Sequence, residues 1–261
     1  MKHIQLALII AIVATLVGCR EDRLDAKGFQ VSPTPEDTEQ ENDNGLNGDS
    51  LKFDTQPSEV LLTGLPNVRL ATLYKVNVNK RDGQTFIGSN NFHYAYNDIG
   101  DFEINDWNYH LIPGMEAVYG YNFVNVAHFS FEDQRQHDFF DESVLIRTLY
   151  YPSFQLDSLA GETILRDYFM VSVYDEDTNS DHFINLRDLR RFYLFDSNGE
   201  NRKALVPEDC SVFRSEYDPA NDKLFVFAHH DANRSGQIEK GEPIHIFWID
   251  LKDPSLTGRM Y

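Results

Sequence analysis

The chain has 261 residues, with 42 acidic against 23 basic side chains and a formal net charge of -19. Nucleic acid and anionic lipid surfaces both demand basic patches, so this balance argues against either as a partner and favours cations. Aromatic residues, at 13% of the chain, are plentiful enough to fill the core of one ordinary domain.

The chain opens Met1-Lys2-His3, followed by a largely apolar run from Ile4 to Val17 and then Gly18-Cys19. That run of about 14 residues matches a signal-peptide core and falls short of the roughly 20 needed to span a bilayer. Residues 1–18 therefore read as an address and not as part of the folded domain. Leu16-Val17-Gly18-Cys19 resembles the lipobox of bacterial lipoproteins. The resemblance implies a diacylglycerol on the Cys19 thiol, cleavage that leaves Cys19 first, and a lipid-anchored domain on the bacterial cell envelope. Arg20 after the cysteine implies the outer membrane, with the periplasmic or surface face left open. Acyl chains contribute about 0.8 kcal/mol per buried CH₂, so two or three of them hold a protein on a membrane firmly.

Residues 19–50 read as an acidic, disordered tether. From Ser32 to Ser50 the only large aliphatic residue is Leu46, and Glu36, Asp37, Glu39, Glu41, Asp43 and Asp49 meet no base. Such a segment buries too little apolar surface to offset its ordering entropy. Residues 51–261 read as one β-rich domain. With Cys19 lipidated, Cys210 has no intrachain disulfide partner. Set in Cys210-Ser211-Val212-Phe213-Arg214, it reads as a buried, inert thiol on a strand.

Short aromatic and β-branched segments predict strands at Arg69 to Val78, Phe123 to Phe131, Tyr168 to Tyr174, Phe192 to Phe195, Leu224 to Ala228 and Ile244 to Ile249. Turn signals such as Arg81-Asp82-Gly83, Ser197-Asn198-Gly199 and Asp218-Pro219 punctuate them. No long helical period appears, so the fold class is all-β. Val171 to Asp196 also aligns without gaps on Phe225 to Asp250 at an offset of 54, pairing Asp177 with Asp231 and Asn179 with Asn233. Units of about 50 residues made of successive antiparallel strands suggest a β-propeller of about four blades, closed or incomplete, with a β-sandwich as the alternative.

The repeat carries an acidic loop in each copy. The second runs Asp231, Asn233, Ser235, Gly236, Gln237, Ile238 and Glu242 at positions 1, 3, 5, 6, 7, 8 and 12, and resembles the EF-hand calcium loop. The resemblance implies Ca²⁺ held by Asp231, Asn233, Ser235, the Gln237 carbonyl and Glu242. The first copy offers Asp177, Asn179, Asp181, the Phe183 carbonyl and Asp188. There His182 replaces the glycine and Asp188 is shorter than glutamate, so a strained and weaker site is expected. The first loop also resembles the dockerin repeat, which implies a helix after each loop and an adaptor function. After the second loop, however, Ile244, Ile246 and Trp248 share one strand face and His245 and Phe247 the other. From about Asn122 onward the chain resembles envelope lipoproteins with calcium loops set in propeller-like blades.

No nucleophile elbow, HExxH, P-loop or CxxC motif occurs, and the histidines are scattered. His229 and His230 beside Asp231 alternate faces at a strand end. The expected function is thus a non-catalytic, calcium-stabilised binding or assembly domain on the envelope. The alternatives are a carbohydrate-directed enzyme or binder, with tyrosines, Trp107 and Trp248 lining a glycan face, and a dockerin-like adaptor. Envelope proteins and glycans are the partners to expect besides the membrane.

Overall fold

The computed structural model describes residues 28–30, 53–79, 82–92 and 112–261. The expected lipobox with Cys19, most of the expected tether and Trp107 lie outside these residues. The strand predicted at Arg69 to Val78 splits into Val68–Lys75 and Asn77–Val78, and the others are met within two residues, as Phe123–Ser130, Phe169–Tyr174, Arg191–Phe195, Lys223–His230 and Ile244–Asp250. The described residues form three large antiparallel sheets and three two-stranded ribbons.

The N-terminal sheet orders Thr55–Leu62, Val68–Lys75, Phe123–Ser130 and Arg135–Asp138. The central sheet orders Lys203–Ala204, Arg191–Phe195, Phe169–Tyr174, Leu145–Pro152, Met115–Gly120 and Asn90–Phe92. The C-terminal sheet orders Cys210–Asp218, Lys223–His230, Ile244–Asp250 and Thr257–Arg259. Successive side chains on a strand point to opposite faces, and the cores follow that period. Phe169, Val171 and Val173 join Leu70, Phe123 and Val126 of the N-terminal sheet in one apolar core. Met170, Tyr150 and Phe192 join Val212, Val226 and Ile249 of the C-terminal sheet in another. The central sheet is therefore covered on both faces, which explains why the strand Phe169–Tyr174 is buried almost throughout.

This is a layered, sandwich-like all-β fold and not a propeller. Propeller blades are equivalent four-stranded sheets arrayed around an axis. Here the sheets are open and unequal, and one has six strands. The two copies of the 54-residue unit lie in different layers, one in the central sheet and one in the C-terminal sheet. Strand, loop, strand and turn recur in any antiparallel sheet, so the repeat carried no information about how the sheets stack.

One buried histidine ties layers together. His128 is 1% exposed, lies against its cross-strand partner His137 with ring centroids 4.9 Å apart, and its Nε2 sits 3.2 Å from the Ser197 carbonyl oxygen. Burial, with His137 adding to it, holds His128 below its ordinary value of 6.5 against the opposing pull of the Ser197 carbonyl, Asp196 and Glu200. The unfolded chain then takes the proton first, so stability from this residue is complete above pH 6.5 and is lost as pH falls from there. Denaturant titrations at pH 7.5 and 5.5 should give a larger loss for the native chain than for His128→Phe. Equal losses in the two proteins would contradict this assignment.

Candidate functional site

The two acidic loops meet each other. Thr178 Oγ1 donates to the Gly236 carbonyl and accepts from Leu189 N at 2.9 Å. Gly236 has φ of +75°, and a Cβ there would fall 1.8 Å from the Thr178 carbonyl oxygen, so only glycine fits the contact. Asp231 is buried and accepts from Ser235 N at 2.9 Å through Oδ1 and from Gly236 N at 2.8 Å through Oδ2. Asn233 Oδ1 also accepts from Ser235 N, at 3.0 Å, and Ser235 Oγ donates to the Gln237 carbonyl at 3.1 Å. Glu242 Oε2 accepts from Glu239 N at 3.0 Å, whereas its Oε1 is buried with no hydrogen-bond partner.

In the first loop Asp177 accepts from Asp181 N at 3.0 Å and from His182 N at 2.8 Å. Asn179 Oδ1 accepts from Asp181 N at 2.9 Å, and Asp181 Oδ1 accepts from Phe183 N at 3.0 Å. Asp188 closes the loop from inside, accepting from Thr178 N at 2.9 Å and from Asn185 N at 2.8 Å. Burial, with Asp177 nearby, lifts its carboxyl above the usual range despite the backbone donors from Asn185, Asn179 and Thr178. His182 takes the glycine position with φ of +70°, a left-handed conformation that costs an ordinary side chain about 1–2 kcal/mol.

These geometries correct the EF-hand and dockerin resemblances. An EF-hand is helix, loop, helix, and a dockerin repeat likewise needs a helix after its loop. Here the strands Arg191–Phe195 and Ile244–Asp250 follow the loops. Among the described residues no group of three or more His, Cys, Asp or Glu side chains is placed to hold a metal ion. The first loop's carboxylates are instead engaged with backbone N–H groups of their own turn. The twelve-residue pattern was legible in the sequence, but the same residues make a self-bonded turn. Nor is any helix of the described residues long and apolar enough to cross a membrane.

The cysteine and histidines fall as their strand positions require. Cys210 is buried, and burial together with Asp209 pushes its thiol up to about 12. His230 pairs with Asp209, Nε2 to Oδ2 at 3.3 Å, while His229 lies on the opposite face against Phe213 at 4.6 Å between ring centroids.

That opposite face of the C-terminal sheet is the feature the sequence reasoning undervalued. Leu224, Val226 and Ala228 point into the core, as do Phe247 and Ile249. The alternate residues Phe225, Phe227, Ile246 and Trp248 are half-buried, belong to no core cluster and share the outer face, where Phe225 pairs with Trp248 and Phe227 with Ile246. A bulge between Val212 and Arg214 brings Phe213 to the same face, 6.4 Å from Phe227. Two ion pairs flank the rings: Arg214 with Glu216 at 3.2 Å and Lys223 with Asp250 at 2.8 Å. Their cations reach over the aromatic faces, Arg214 at 3.8 Å from the Phe227 centroid and Lys223 at 4.7 Å from that of Trp248. Gly258 backs the indole so closely that a Cβ there would fall 2.6 Å from it.

No protein-family model and no curated protein matches the chain. The aromatic row offers flat apolar rings beside hydrogen-bonding charged groups, an arrangement fitted to a ligand with apolar faces and polar edges.

Proposed function

We propose that this chain is a non-catalytic, carbohydrate-directed binding domain, displayed from the bacterial cell envelope by a lipid on Cys19. The observation that carries it is the row Phe225, Phe227 and Trp248 on the outer face of the C-terminal sheet, outside every core cluster. Cross-strand neighbours on a sheet stand about 5 Å apart and same-face neighbours along a strand about 7 Å. The rings therefore share one face of the sheet, and the C–H face of a sugar can stack on Phe227 or Trp248 in place of the Arg214 and Lys223 cations that lie over them. Displaced from the rings, Arg214 and Lys223, with their partners Glu216 and Asp250, can exchange hydrogen bonds with the hydroxyls. The net charge of -19 disfavours sulfated or uronic chains, so the glycan is neutral. In gels containing neutral polysaccharides the soluble Cys19→Ser chain should be retarded, and Phe227→Ala should migrate freely. Unretarded migration of the parent chain across the panel would count against the proposal.

A second reading concerns Ca²⁺ in the loop from Asp231 to Glu242, and one observation favours it: the buried Glu242 Oε1 has no partner. Asp231, Asn233 Oδ1, Ser235 Oγ, the Gln237 carbonyl and Glu242 are oxygen donors of the kind calcium takes. At ~1 mM Ca²⁺ and a Kd near 10⁻⁴ M the ion would stabilise the fold by about 1.4 kcal/mol. That corresponds to a melting temperature higher by about 3–6 °C. Asp231→Ala should abolish the shift and Asp177→Ala should leave most of it. An identical melting curve with Ca²⁺ and with chelator would remove the ion from the account.

A further inference from the structure

Three successive residues within the acidic N-terminal segment are individually fitted to the first loop. Phe29–Gln30 pairs antiparallel with Phe183–Ile184, Phe29 opposite Ile184 and Gln30 opposite Phe183. The Phe29 side chain is 4% exposed, packs with Val124, Leu145 and Ile184, and meets Phe53 edge-on with ring centroids 5.3 Å apart. Gly28 turns the chain with φ of +68°, and a Cβ at that position would fall 1.8 Å from the Ile184 carbonyl oxygen. A left-handed glycine, a phenyl plug and a strand register all coincide on one two-residue sheet edge.

We infer that residues 28–30 form a strap that fastens the chain's anchored end onto the first loop and so sets how far the domain stands from its anchor. The consequence for reach rests on the proposed lipid at Cys19. From residue 19 to Gly28 is nine residues, which span at most about 30 Å when extended. Measured instead to Phe53, the ring partner of Phe29 and 34 residues from Cys19, the contour limit is about 110 Å. Fastened, the domain is held close to the membrane; released, its reach is more than three times longer. Because Phe183 and Ile184 belong to the acidic loop, whatever orders that loop also favours the strap, and the reverse.

Trypsin provides the test on the full chain with Cys19→Ser. Cleavage after Lys27 requires the protease to take residues 28–30 in extended form, whereas Arg23 lies outside the strap and serves as the reference site. The strap predicts that Lys27 is cut at least tenfold more slowly than Arg23, and that both Phe29→Ser and Gly28→Val equalise the two rates. Leu24→Ser should leave Lys27 protected. Circular dichroism on each variant shows that the domain remains folded, so that exposure of Lys27 reports the strap and not unfolding. Equal rates at Lys27 and Arg23 in the parent chain would overturn the inference. Absence of acyl mass on Cys19 in the envelope-expressed protein would instead refute the anchor, leaving the strap in place without its role in reach.

Discussion

Asp222→Ala is expected to destabilise the domain by about 3–5 kcal/mol, the cost of leaving a buried charge without its partner. Asp222 and Arg166 are 2% and 6% exposed, and the pair is bidentate, Nη2 to Oδ1 at 2.7 Å and Nη1 to Oδ2 at 3.0 Å. Around it Arg166 Nη1 donates to the Leu251 carbonyl and Nε to the Pro113 carbonyl, Tyr168 donates to the same Leu251 oxygen, and Tyr217 donates to Asp222. The network joins the end of the central sheet's strand Phe169–Tyr174 to the turn before Lys223 in the C-terminal sheet. Removing the carboxylate strands the guanidinium in a place water does not reach. At roughly 2–4 °C per kcal/mol for a domain of this size, the melting temperature should fall by about 6–20 °C. The double variant Arg166→Met with Asp222→Leu should recover most of the loss, because the penalty lies in the unpaired charge. A single variant as stable as the parent would show that the network does not hold the layers.

Phe169→Ala should cost about as much, 3–5 kcal/mol, through the cavity it leaves. Phe169 is fully buried between the N-terminal and central sheets, with Phe139 at 5.3 Å and His128 at 6.2 Å between ring centroids. Phe227→Ala deletes the same side chain from the outer face of the C-terminal sheet and should cost about 1 kcal/mol or less, since a half-buried surface ring leaves no cavity. The contrast between two phenylalanine truncations separates core from platform. Denaturant midpoints at fixed pH measure it, and a Phe227→Ala variant as unstable as Phe169→Ala would make that face part of the core.

Strand positions, turns and the acidic loops were legible because they are written in short-range pattern. Phe183 and Ile184 lie where a loop closes, Gly236 where a bend needs it, and His182 where it pays with a left-handed backbone. Layer order was not legible. In Lys223–His230 both faces are apolar, Leu224, Val226 and Ala228 on one and Phe225 and Phe227 on the other, and alternation cannot say which face meets another sheet. The pairing of Trp248 with Phe225 on the outer face is therefore set by the layers and not by the strand pattern. The strap was hidden for a different reason: a lone Phe29 beside Gly28 is ordinary within a polar segment, and its significance comes only from the sheet edge at Phe183 and Ile184, more than 150 residues away.

The most direct test of the carbohydrate platform is a fluorescence titration with neutral oligosaccharides in a Trp107→Phe background, where Trp248 is the remaining tryptophan. Stacking on the aromatic row should change Trp248 emission saturably. Phe227→Ala should weaken the apparent affinity by about five- to a hundredfold, the equivalent of about 1–3 kcal/mol at a binding hot spot, with the melting temperature little altered. Emission that stays constant throughout the oligosaccharide panel, or a response that Phe227→Ala leaves intact, would contradict the account.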